Sequence, residues 1–454
     1  MSHTFVRCGT LFTATSAFPD KDQTLVFAGA KLTYVGPTAE APPPQAGDAV
    51  IDHGNRFVMP GLIDGHVHIS YGRALGEEDL DLYATMEFRA IRALHAAQSM
   101  LRWGFTSIID PACSGLVSPS VRDAIDCGLY KGPRITAAGR ALTTHQGLYD
   151  YYPSWIGAPD VSTGILVKSR EETILEIRRQ AKDGVDMIKF ALDGIMGDRK
   201  HGLYAAFDED ETKAMIREAK RLGRRVGIHA RGREAAYYAA KHGADIIYHA
   251  SRIDGETIRA CLDTGCAISP SLLMLVNNIE FAQPQDPSYS WWPNIQRKEL
   301  ASARICIAEA FQAGVRLING SESGFAVTLY GDWAARELEI SRDLLGLTPG
   351  EALLTATANP APYLRGAPVG TLKEGHMADF LVLDASPIED LSILQDPSHF
   401  VELRLGGEVV DTTPQPQPGR HPSELAQGMW NRLYTRDYTA GLARQPLELQ
   451  TAAE

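Results

Sequence analysis

The stretch from Met59 to about Pro362 constrains the fold most, because short apolar runs alternate there with longer amphipathic runs. A strand followed by a helix, repeated along the chain, is typical of parallel β/α units. Glycines such as Gly104 and Gly314 follow the amphipathic runs, as helix stop signals do. Eight runs suit strands: Leu62–Ile69, Phe105–Ile109, Ile135–Ala138, Met187–Ala191, Val226–His229, Ile246–His249, Ala267–Ser269 and Val315–Ile318. The pattern predicts an α/β fold, a closed (β/α)8 TIM barrel over residues 59–362.

Both ends of the chain differ from this middle stretch, since they carry short β-branched runs broken by Gly, Pro and Asp. Residues 1–58 contain runs such as Leu25–Phe27, and residues 363–411 contain runs such as Phe380–Leu383. We expect the two ends to form one small β-sandwich domain together. Residues 412–454 are predicted to be a Pro-rich linker followed by a tail whose aromatic residues suit a short packed helix.

The composition excludes several classes of protein. The 454 residues carry a net charge of −12 and are 44% apolar, close to the ordinary globular value of about 45–50%. The acidic surplus argues against nucleic-acid or anionic-lipid binding, and no apolar run reaches the roughly 18–20 residues of a transmembrane helix. The six cysteines form no CxxC pair, and no signal-peptide pattern is apparent at the N-terminus. We therefore expect a cytoplasmic protein with reduced thiols and without nucleic-acid or membrane partners; a homo-oligomer stays open.

The most informative short motif is Gly65-His66-Val67-His68, which closes the first predicted barrel strand. Side chains alternate along a strand, so His66 and His68 point to the same face, about 6–7 Å apart at the backbone. Histidine is a common zinc ligand, and active sites of such barrels lie at the carboxyl ends of the strands. An HxH pair alone is a weak signal, but its position here predicts a pair of metal ligands.

Other ionisable residues recur at the ends of later predicted strands: Lys189, His229, His249 and Glu322. Each has an ordinary alternative, since a strand lysine can extend to solvent and a histidine can be a hydrogen-bonded core residue. Their shared position is harder to attribute to chance. We expect these side chains to meet at one rim of the barrel.

These motifs together resemble the amidohydrolase superfamily, which comprises metal-dependent hydrolases with a (β/α)8 barrel and a small β-sandwich. The resemblance covers about residues 1–411 and rests on short motifs in a specific order: Met59-Pro-Gly-Leu-Ile-Asp-Gly-His-Val-His68, Gly184-Val-Asp-Met-Ile-Lys189, His229, His249, Gly320-Ser-Glu-Ser-Gly324, Ala358-Asn-Pro-Ala361 and the segment from Gly370 to Leu383. The sequence around Lys189 is most similar to Xaa-Pro dipeptidase-like and other amide-cleaving members.

The resemblance implies a binuclear metal centre. His66 and His68 would bind the more buried ion, His229 and His249 the more exposed one, and Lys189, carboxylated by carbon dioxide, would bridge them. The metals would be two divalent ions, with zinc expected and manganese or cobalt as alternatives. The amide bond would be cleaved by attack of a metal-bridging hydroxide.

One departure from the family pattern concerns Glu322, which stands where the family usually has aspartate. Glu322 is expected to act as the catalytic base and as a metal ligand. Because glutamate is one methylene longer, it can also move the proton without touching the metal. A further alternative is that Glu322 forms only a local ion pair.

The loops after the third and seventh strands carry most of the candidate substrate-binding residues, and Arg231 lies beside His229 after the fifth strand. His145 is expected to polarise the substrate carbonyl and is also a candidate catalytic residue, with loop stabilisation as the alternative. Arg231 is expected to bind a substrate carboxylate, or else to pair with Glu234 or Asp193. The aromatic candidates are Tyr151, Tyr152, Trp155, Trp291 and Trp292. Aromatic rings at these positions favour a substrate with an aromatic or bulky apolar part, although loop packing would also explain them.

The expected function is hydrolysis of the amide bond of a small molecule, such as a dipeptide, an N-acyl amino acid or an aryl amide. The alternative is a cyclic-amide hydrolase or deaminase acting on a nitrogen heterocycle. Deaminase-like members often carry a glutamate where this chain has Gly232, which disfavours the deaminase. A catalytically inactive barrel is a third hypothesis, disfavoured because every expected histidine and lysine ligand is present.

Overall fold

The computed structural model describes residues 2–194, 203–419 and 429–447. Its strands are β1 (Thr4–Leu11), β2 (Asp20–Ala28), β3 (Lys31–Pro37), β4 (Ala49–Pro60), β5 (Leu62–Asp64), β6 (Phe105–Asp110), β7 (Arg134–Ala137), β8 (Ala141–Thr143), β9 (Gly164–Leu166), β10 (Met187–Ala191), β11 (Arg225–Ala230), β12 (Ile246–His249), β13 (Ala267–Ser269), β14 (Phe380–Leu383), β15 (Phe400–Leu405) and β16 (Glu408–Val410).

Helices alternate with the strands in the middle of the chain. They are α1 (Glu77–Asp81), α2 (Met86–Arg102), α3 (Val117–Asp126), α4 (Arg170–Lys182), α5 (Glu209–Arg221), α6 (Arg233–Lys241), α7 (Gly255–Thr264), α8 (Leu272–Glu280), α9 (Trp292–Gln312), α10 (Arg336–Leu345), α11 (Pro349–Thr355) and α12 (Arg436–Thr439). Local signals set several of their starts. For example, Asp208 and Glu211 form a capping box at the start of α5.

Parallel strands close into a barrel. Strands β5, β6 and β7 form one parallel sheet, and β10 to β13 belong to a second parallel sheet. A parallel bridge between Ala138 and Met187 joins the two sheets on one side. On the other side, Leu317 bridges to Ile268, and the Gly65 amide donates to the Asn319 carbonyl at 2.8 Å. Residues of β6 and β10 are buried throughout, which explains their unbroken apolar runs.

The eighth barrel strand is shorter than the predicted run Val315–Ile318. The structure records only a single bridge there, at Leu317. The Asn319 amide donates to the Thr355 carbonyl at 2.8 Å, so on this side the backbone bonds outside the sheet, while the Asn319 carbonyl still accepts from Gly65. This early departure leads the chain into the turn that carries Glu322.

Strands from both chain ends share one sheet. Its order is β16-β15-β14-β4-β1-β2-β3, so β4 from the N-terminal part lies between β1 and β14. Alternate residues of these strands, such as Val6, Leu25, Phe27 and Phe380, form a separate apolar core. The expectation that the two ends assemble together is therefore met by direct pairing of β4 with β14.

Three further features concern the cysteines, the helices and the C-terminal tail. All six cysteines are free thiols, and only Cys127 is exposed. None of the helices in the described ranges has the length and apolar character needed to cross a membrane. Beyond the Pro-rich stretch, the predicted tail helix is a single short turn, α12, preceded by the buried side chains of Trp430 and Tyr434.

Candidate metal centre and substrate cavity

Histidines from three barrel strands meet at the carboxyl ends of those strands. His66 and His68 follow β5, while His229 and His249 lie in β11 and β12. The centroid of the His66 ring lies 4.9 Å from that of His68 and 5.3 Å from that of His249. The ring centroids of His229 and His249 are 4.7 Å apart. These four residues and Lys189 of β10 are each at most 3% exposed. The structure thus brings all the histidines predicted as ligands into one buried group.

The hydrogen bonds of His66 and His68 turn one nitrogen of each ring toward the other. Nδ1 of His68 donates to the Ala112 carbonyl at 3.0 Å, and Nδ1 of His66 lies 2.7 Å from the Ser271 hydroxyl. The two Nε2 atoms are 3.1 Å apart. A neutral ring that donates through Nδ1 keeps a lone pair on Nε2, as metal-binding histidines commonly do. The pair is therefore arranged to bind one cation through Nε2.

His229 lies beside Asp193, a residue that sequence reasoning considered only as a partner for Arg231. Nε2 of His229 lies 3.3 Å from Oδ1 of Asp193 and 3.2 Å from the Gly194 carbonyl. The other carboxylate oxygen of Asp193 accepts from the backbone amides of Arg231 and Gly232 at 2.8 and 2.7 Å. Asp193 therefore fixes the end of β11, while the Gly194 carbonyl accepts the hydrogen bond from the ring of His229.

Glu322 joins the group from the loop after the eighth barrel strand. Its Oε2 atom lies 3.8 Å from Nδ1 of His249, and neither atom has a hydrogen-bond partner among the described residues. Ligand atoms of His66, His249 and Glu322 all lie within 4.8 Å of one another. Buried polar atoms without partners are costly, and imidazole and carboxylate are ligands that Zn²⁺ and similar ions accept. These residues fit a divalent cation.

Burial favours the neutral forms of the bases in this group. It lowers the pKa of His66 and of His249 well below the usual value, and the positive charges of Lys189 and Arg231 act in the same direction. Burial also lowers the pKa of Lys189 well below its usual value, while the negative charge of Glu322 opposes this. Neutral imidazole is the metal-binding form of histidine, and the neutral amine is the reactive form of lysine.

The Lys189 side chain lies within reach of the histidine group. Its Nζ atom is 3.5 Å from the centroid of the Tyr248 ring, and this ring in turn lies 4.2 Å from the ring of His66. A buried ammonium group loses its hydration, and contact with an aromatic face replaces only part of the lost stabilisation. This surrounding therefore suits an uncharged or modified lysine better than an ammonium.

Strained backbone marks the same rim. His249, Ala250, Ser271 and Glu322 have φ angles of 77°, 52°, 53° and 53°, in the left-handed region that non-glycine residues rarely adopt. Such residues cost of the order of 1–3 kcal/mol each and concentrate at functional sites. Here this backbone conformation occurs where the side chains of His249 and Glu322 approach each other. It also occurs at Ser271, whose hydroxyl contacts His66.

A cavity opens beside this group, and three of the predicted substrate-binding residues line it: Tyr151, Arg231 and Trp292. His229 and Glu322 form part of the same wall. Arg231 is buried and pairs with Glu299 of α9 at 3.2 Å, rather than with either partner considered from the sequence. Glu299 is 68 residues away in the chain, and no local pattern connects the two.

The remaining predicted substrate residues lie outside the described wall of this cavity. The His145 side chain is 53% exposed, with Nδ1 3.4 Å from Oδ2 of Asp150. Trp155 is 84% exposed, and Tyr152 is half-buried. The Trp291 ring packs against Trp292 with centroids 5.2 Å apart. Their contact with substrate stays a prediction.

Sequence reasoning missed two kinds of residue at the site. Asp110 lies 3.7 Å from Nδ1 of His68, and its position at the end of β6 was a signal that strand-end reasoning could have used. Met429 and Trp430 line the cavity from the C-terminal tail. No motif or spacing connects the tail with the barrel rim.

Comparison with known proteins identifies the family. The sequence model of the Amidohydrolase family matches residues 57–413. The chain belongs to the amidohydrolase family. This confirms the resemblance drawn from the ordered motifs and makes the protein a hydrolase that acts on carbon–nitrogen bonds.

Individual relatives agree with this membership. An ochratoxinase from Aspergillus niger is 28% identical over 424 residues, covering 86% of this chain and 83% of the relative. A solved Xaa-Pro dipeptidase with bound methionine in its active site matches with a TM-score of 0.78 and 26% identity, over 90% of this chain and all of the other (100%). The A. niger ochratoxinase structure matches with a TM-score of 0.76 at 24% identity, over 90% and 96% of the two chains. The predicted fold class, an α/β barrel with a separate β domain, is confirmed.

Proposed function

We propose that this protein is a binuclear metal-dependent hydrolase that cleaves the amide bond of a small molecule with an aromatic or bulky apolar part. A dipeptide, an N-acyl amino acid and an aryl amide are the candidate substrates. The observation that carries the proposal is the convergence of His66, His249 and Glu322 within 4.8 Å, with unpartnered ligand atoms on His249 and Glu322. The six free cysteines of this protein further favour a cytoplasmic location.

The residues divide into two ligand sets. His66 and His68 would hold one ion with Glu322, and His229 and His249 would hold the other. Lys189, as a carbamate, would supply an oxygen to each. When bound, such a pair of ions lowers the pKa of water and polarises the amide carbonyl.

Glu322 is the proposed proton carrier. Its carboxylate lies in the cavity wall with one oxygen free of hydrogen-bond partners in the described part of the chain. It would accept the proton from the attacking water and deliver it to the departing amine nitrogen. The extra methylene relative to aspartate extends the reach of this carboxylate from the turn that holds its backbone.

The substrate preference rests on the walls of the cavity. Tyr71 and Tyr149 line it, with their hydroxyl oxygens 3.0 Å apart, and Leu80, Met274 and Trp292 add apolar surface. Apolar walls with few polar groups are typical of small-molecule sites. Among the relatives, the Xaa-Pro dipeptidase is named for a peptide substrate, which supports an amide with a compact apolar half.

The test uses protein loaded with zinc or manganese against N-acyl amino acids, dipeptides, aryl amides and cyclic amides. We expect hydrolysis of at least one open-chain amide, with loss of activity after dialysis against a chelator and recovery on adding metal. Cleavage of cyclic amides alone would favour the heterocycle alternative, and cleavage of none would contradict the proposal.

A substitution at Lys189 tests the carbamate separately. Lys189→Ala is expected to lose activity and metal together, with partial recovery when acetate or another short carboxylate is added. Lys182→Ala removes an exposed lysine of α4 and serves as the matched control, with unchanged activity. Full activity of Lys189→Ala would exclude the bridging carbamate.

A further inference from the structure

We propose that residues 429–434, the roof segment, belong to the substrate site and that Met429 and Trp430 contact the apolar part of the substrate. This inference rests on the proposed function, since it assigns the specificity of the same cavity. It gives a role to a part of the tail for which the sequence indicated nothing beyond packing.

The position of the roof segment is the first argument. Met429 and Trp430 line the cavity that also has His229 and Glu322 in its wall. A molecule occupying this cavity next to the metal ligands therefore lies against the tail as well. Trp430 is 4% exposed, so its indole is part of the interior rather than a surface ring.

Hydrogen bonds fix the start of the roof segment to two barrel loops and to helix α8. The Met429 amide donates to the Leu75 carbonyl at 2.6 Å, and the Met429 carbonyl accepts from the Ser288 hydroxyl at 2.6 Å. Nε1 of Trp430 donates to Oδ1 of Asn278 at 3.0 Å. Leu75 follows the first barrel strand, and the other two partners lie after the seventh. The segment therefore bridges loops from different sides of the cavity mouth.

Tyr434 fixes the other end of the roof segment. Its hydroxyl donates to Oδ2 of Asp286 at 2.5 Å, and its amide donates to the Ala326 carbonyl at 3.0 Å. The Tyr434 carbonyl accepts from Nε1 of Trp333 at 2.9 Å. Tyr434 is fully buried. Because the segment is anchored at both ends, Met429 and Trp430 form a fixed part of the cavity wall.

The chemistry of the wall indicates what it contacts. Because Asn278 accepts the indole N–H of Trp430, the ring offers the cavity an apolar face rather than a hydrogen bond. The Phe325 ring, which also lines the cavity, lies 6.2 Å from the Trp430 ring. Aromatic and thioether side chains together favour a ring or a branched aliphatic group.

The family comparison adds a further argument. The match to the family extends over residues 57–413 and so ends before the roof segment. The metal ligands lie within the match and the roof lies beyond it.

The experiment compares two compounds of different size, N-benzoyl-L-phenylalanine and N-acetylglycine, with zinc-loaded full-length protein. Calorimetry gives the Kd of each, and kinetics gives KM and kcat. Trp430→Ala is expected to weaken binding of the aromatic compound by about tenfold or more, and of N-acetylglycine by less than about threefold, with metal content unchanged. Trp430→Phe should retain most of the affinity, because it keeps an aromatic ring.

Control variants separate contact from packing. Tyr438→Ala alters the tail beside Tyr434, whose ring lies 5.7 Å away, without touching the cavity wall, and is expected to leave both Kd values unchanged. If Trp430→Ala fails to fold, Met429→Ala carries the test with the same selective loss.

Several outcomes overturn the inference. Equal weakening of both compounds would assign Trp430 a purely structural role, and unchanged affinity for both would remove it from the site. Absence of binding of the aromatic compound to the unmodified protein also contradicts it. If no amide is hydrolysed, the proposed function fails, but a selective change in Kd would still support the roof.

Discussion

Glu322 reaches the histidine group because its backbone is held in an uncommon conformation. Its φ of 53° lies in the left-handed region. Its amide donates to the His66 carbonyl at 2.7 Å, and its own carbonyl accepts from the Thr328 hydroxyl at 2.7 Å. These bonds tie the turn to the residue that begins the HxH pair. The backbone of Glu322 is therefore fixed, and its long side chain extends from there to His249.

Replacing Glu322 by glutamine tests its role as proton carrier. Glu322→Gln keeps the shape of the side chain but cannot accept the proton, so kcat is expected to fall by about 10²–10⁴-fold. The measurement is kcat on the best amide substrate, with metal content determined on the same sample. Glu374→Gln, at an exposed position, is the control. An unchanged kcat in Glu322→Gln would assign proton transfer to another group.

At the residue scale, the sequence was most informative where a side chain's position follows from its strand. His229 and His249 lie at the ends of their strands, and His66 and His68 follow shortly after β5, which ends at Asp64 rather than at the predicted Ile69. Parallel strands of a barrel bring such positions together. Arg231 shows the limit, because its partner Glu299 comes from a distant helix. Loop residues such as His145 and Trp155 were harder still, since aromatic or ionisable character does not determine which way a loop folds.

Helix α8 supports the histidine group at His66. It starts after Ser271, whose hydroxyl lies 2.7 Å from Nδ1 of His66. The first amides of α8, those of Leu272 and Leu273, donate to the carboxyl group of Glu337 on α10 at 2.9 and 2.6 Å. A buried carboxyl group from a neighbouring helix thus caps α8 and holds Ser271 in place.

The burial of Glu337 makes stability depend on pH. Burial raises the pKa of Glu337 to about 8, although the two backbone amides act in the opposite direction. Because the pKa is higher in the folded than in the unfolded protein, this contribution to stability is complete below the unfolded value and is lost as pH rises through about 8. We expect the free energy of unfolding to fall by about 1 kcal/mol per pH unit across this window.

Glu337→Gln tests this element. The variant cannot titrate, so its stability should lack this component of the pH dependence. Urea denaturation at several pH values between about 5 and 8 measures the difference. Parallel stability curves for the two proteins would show that Glu337 does not titrate in this window.

At the scale of the whole molecule, the two chain ends form one unit. Strand β4 pairs with β1 on one side and with β14 on the other, which makes the C-terminal strands part of the N-terminal sheet. The fully buried ring of Phe380 in β14 packs against Phe27 with centroids 6.1 Å apart. Neither end can complete this core alone.

Truncating Phe380 tests the joint core. Phe380→Ala is expected to lower the free energy of unfolding by about 3–5 kcal/mol, because it leaves a cavity between strands from both ends. Val401→Ala in the neighbouring strand β15 removes a side chain that is 43% exposed and should change stability by less than about 0.5 kcal/mol. Urea denaturation of both variants measures this, and similar values for the two would contradict a shared core.

The barrel could be predicted from sequence because periodicity reports local burial, and each strand–helix unit carries its own signal. The pairing of the two ends was expected only in outline, since register depends on contacts far apart in the chain. The tail could not be placed at all. Its anchors, such as Asn278 of α8 and Asp286 of the loop after it, are single polar residues, and nothing in the sequence marks them as partners of Trp430 and Tyr434.

The central claim is that a pair of divalent ions binds among the converging histidines and Lys189. Anomalous X-ray diffraction at the zinc edge, from crystals of zinc-loaded protein, tests it most directly. The account predicts two peaks, one beside His66 and His68 and one beside His229 and His249, with extra density continuous with Nζ of Lys189 between them. A map with no peak at this rim, or with Lys189 unmodified and directed away from it, would contradict the account.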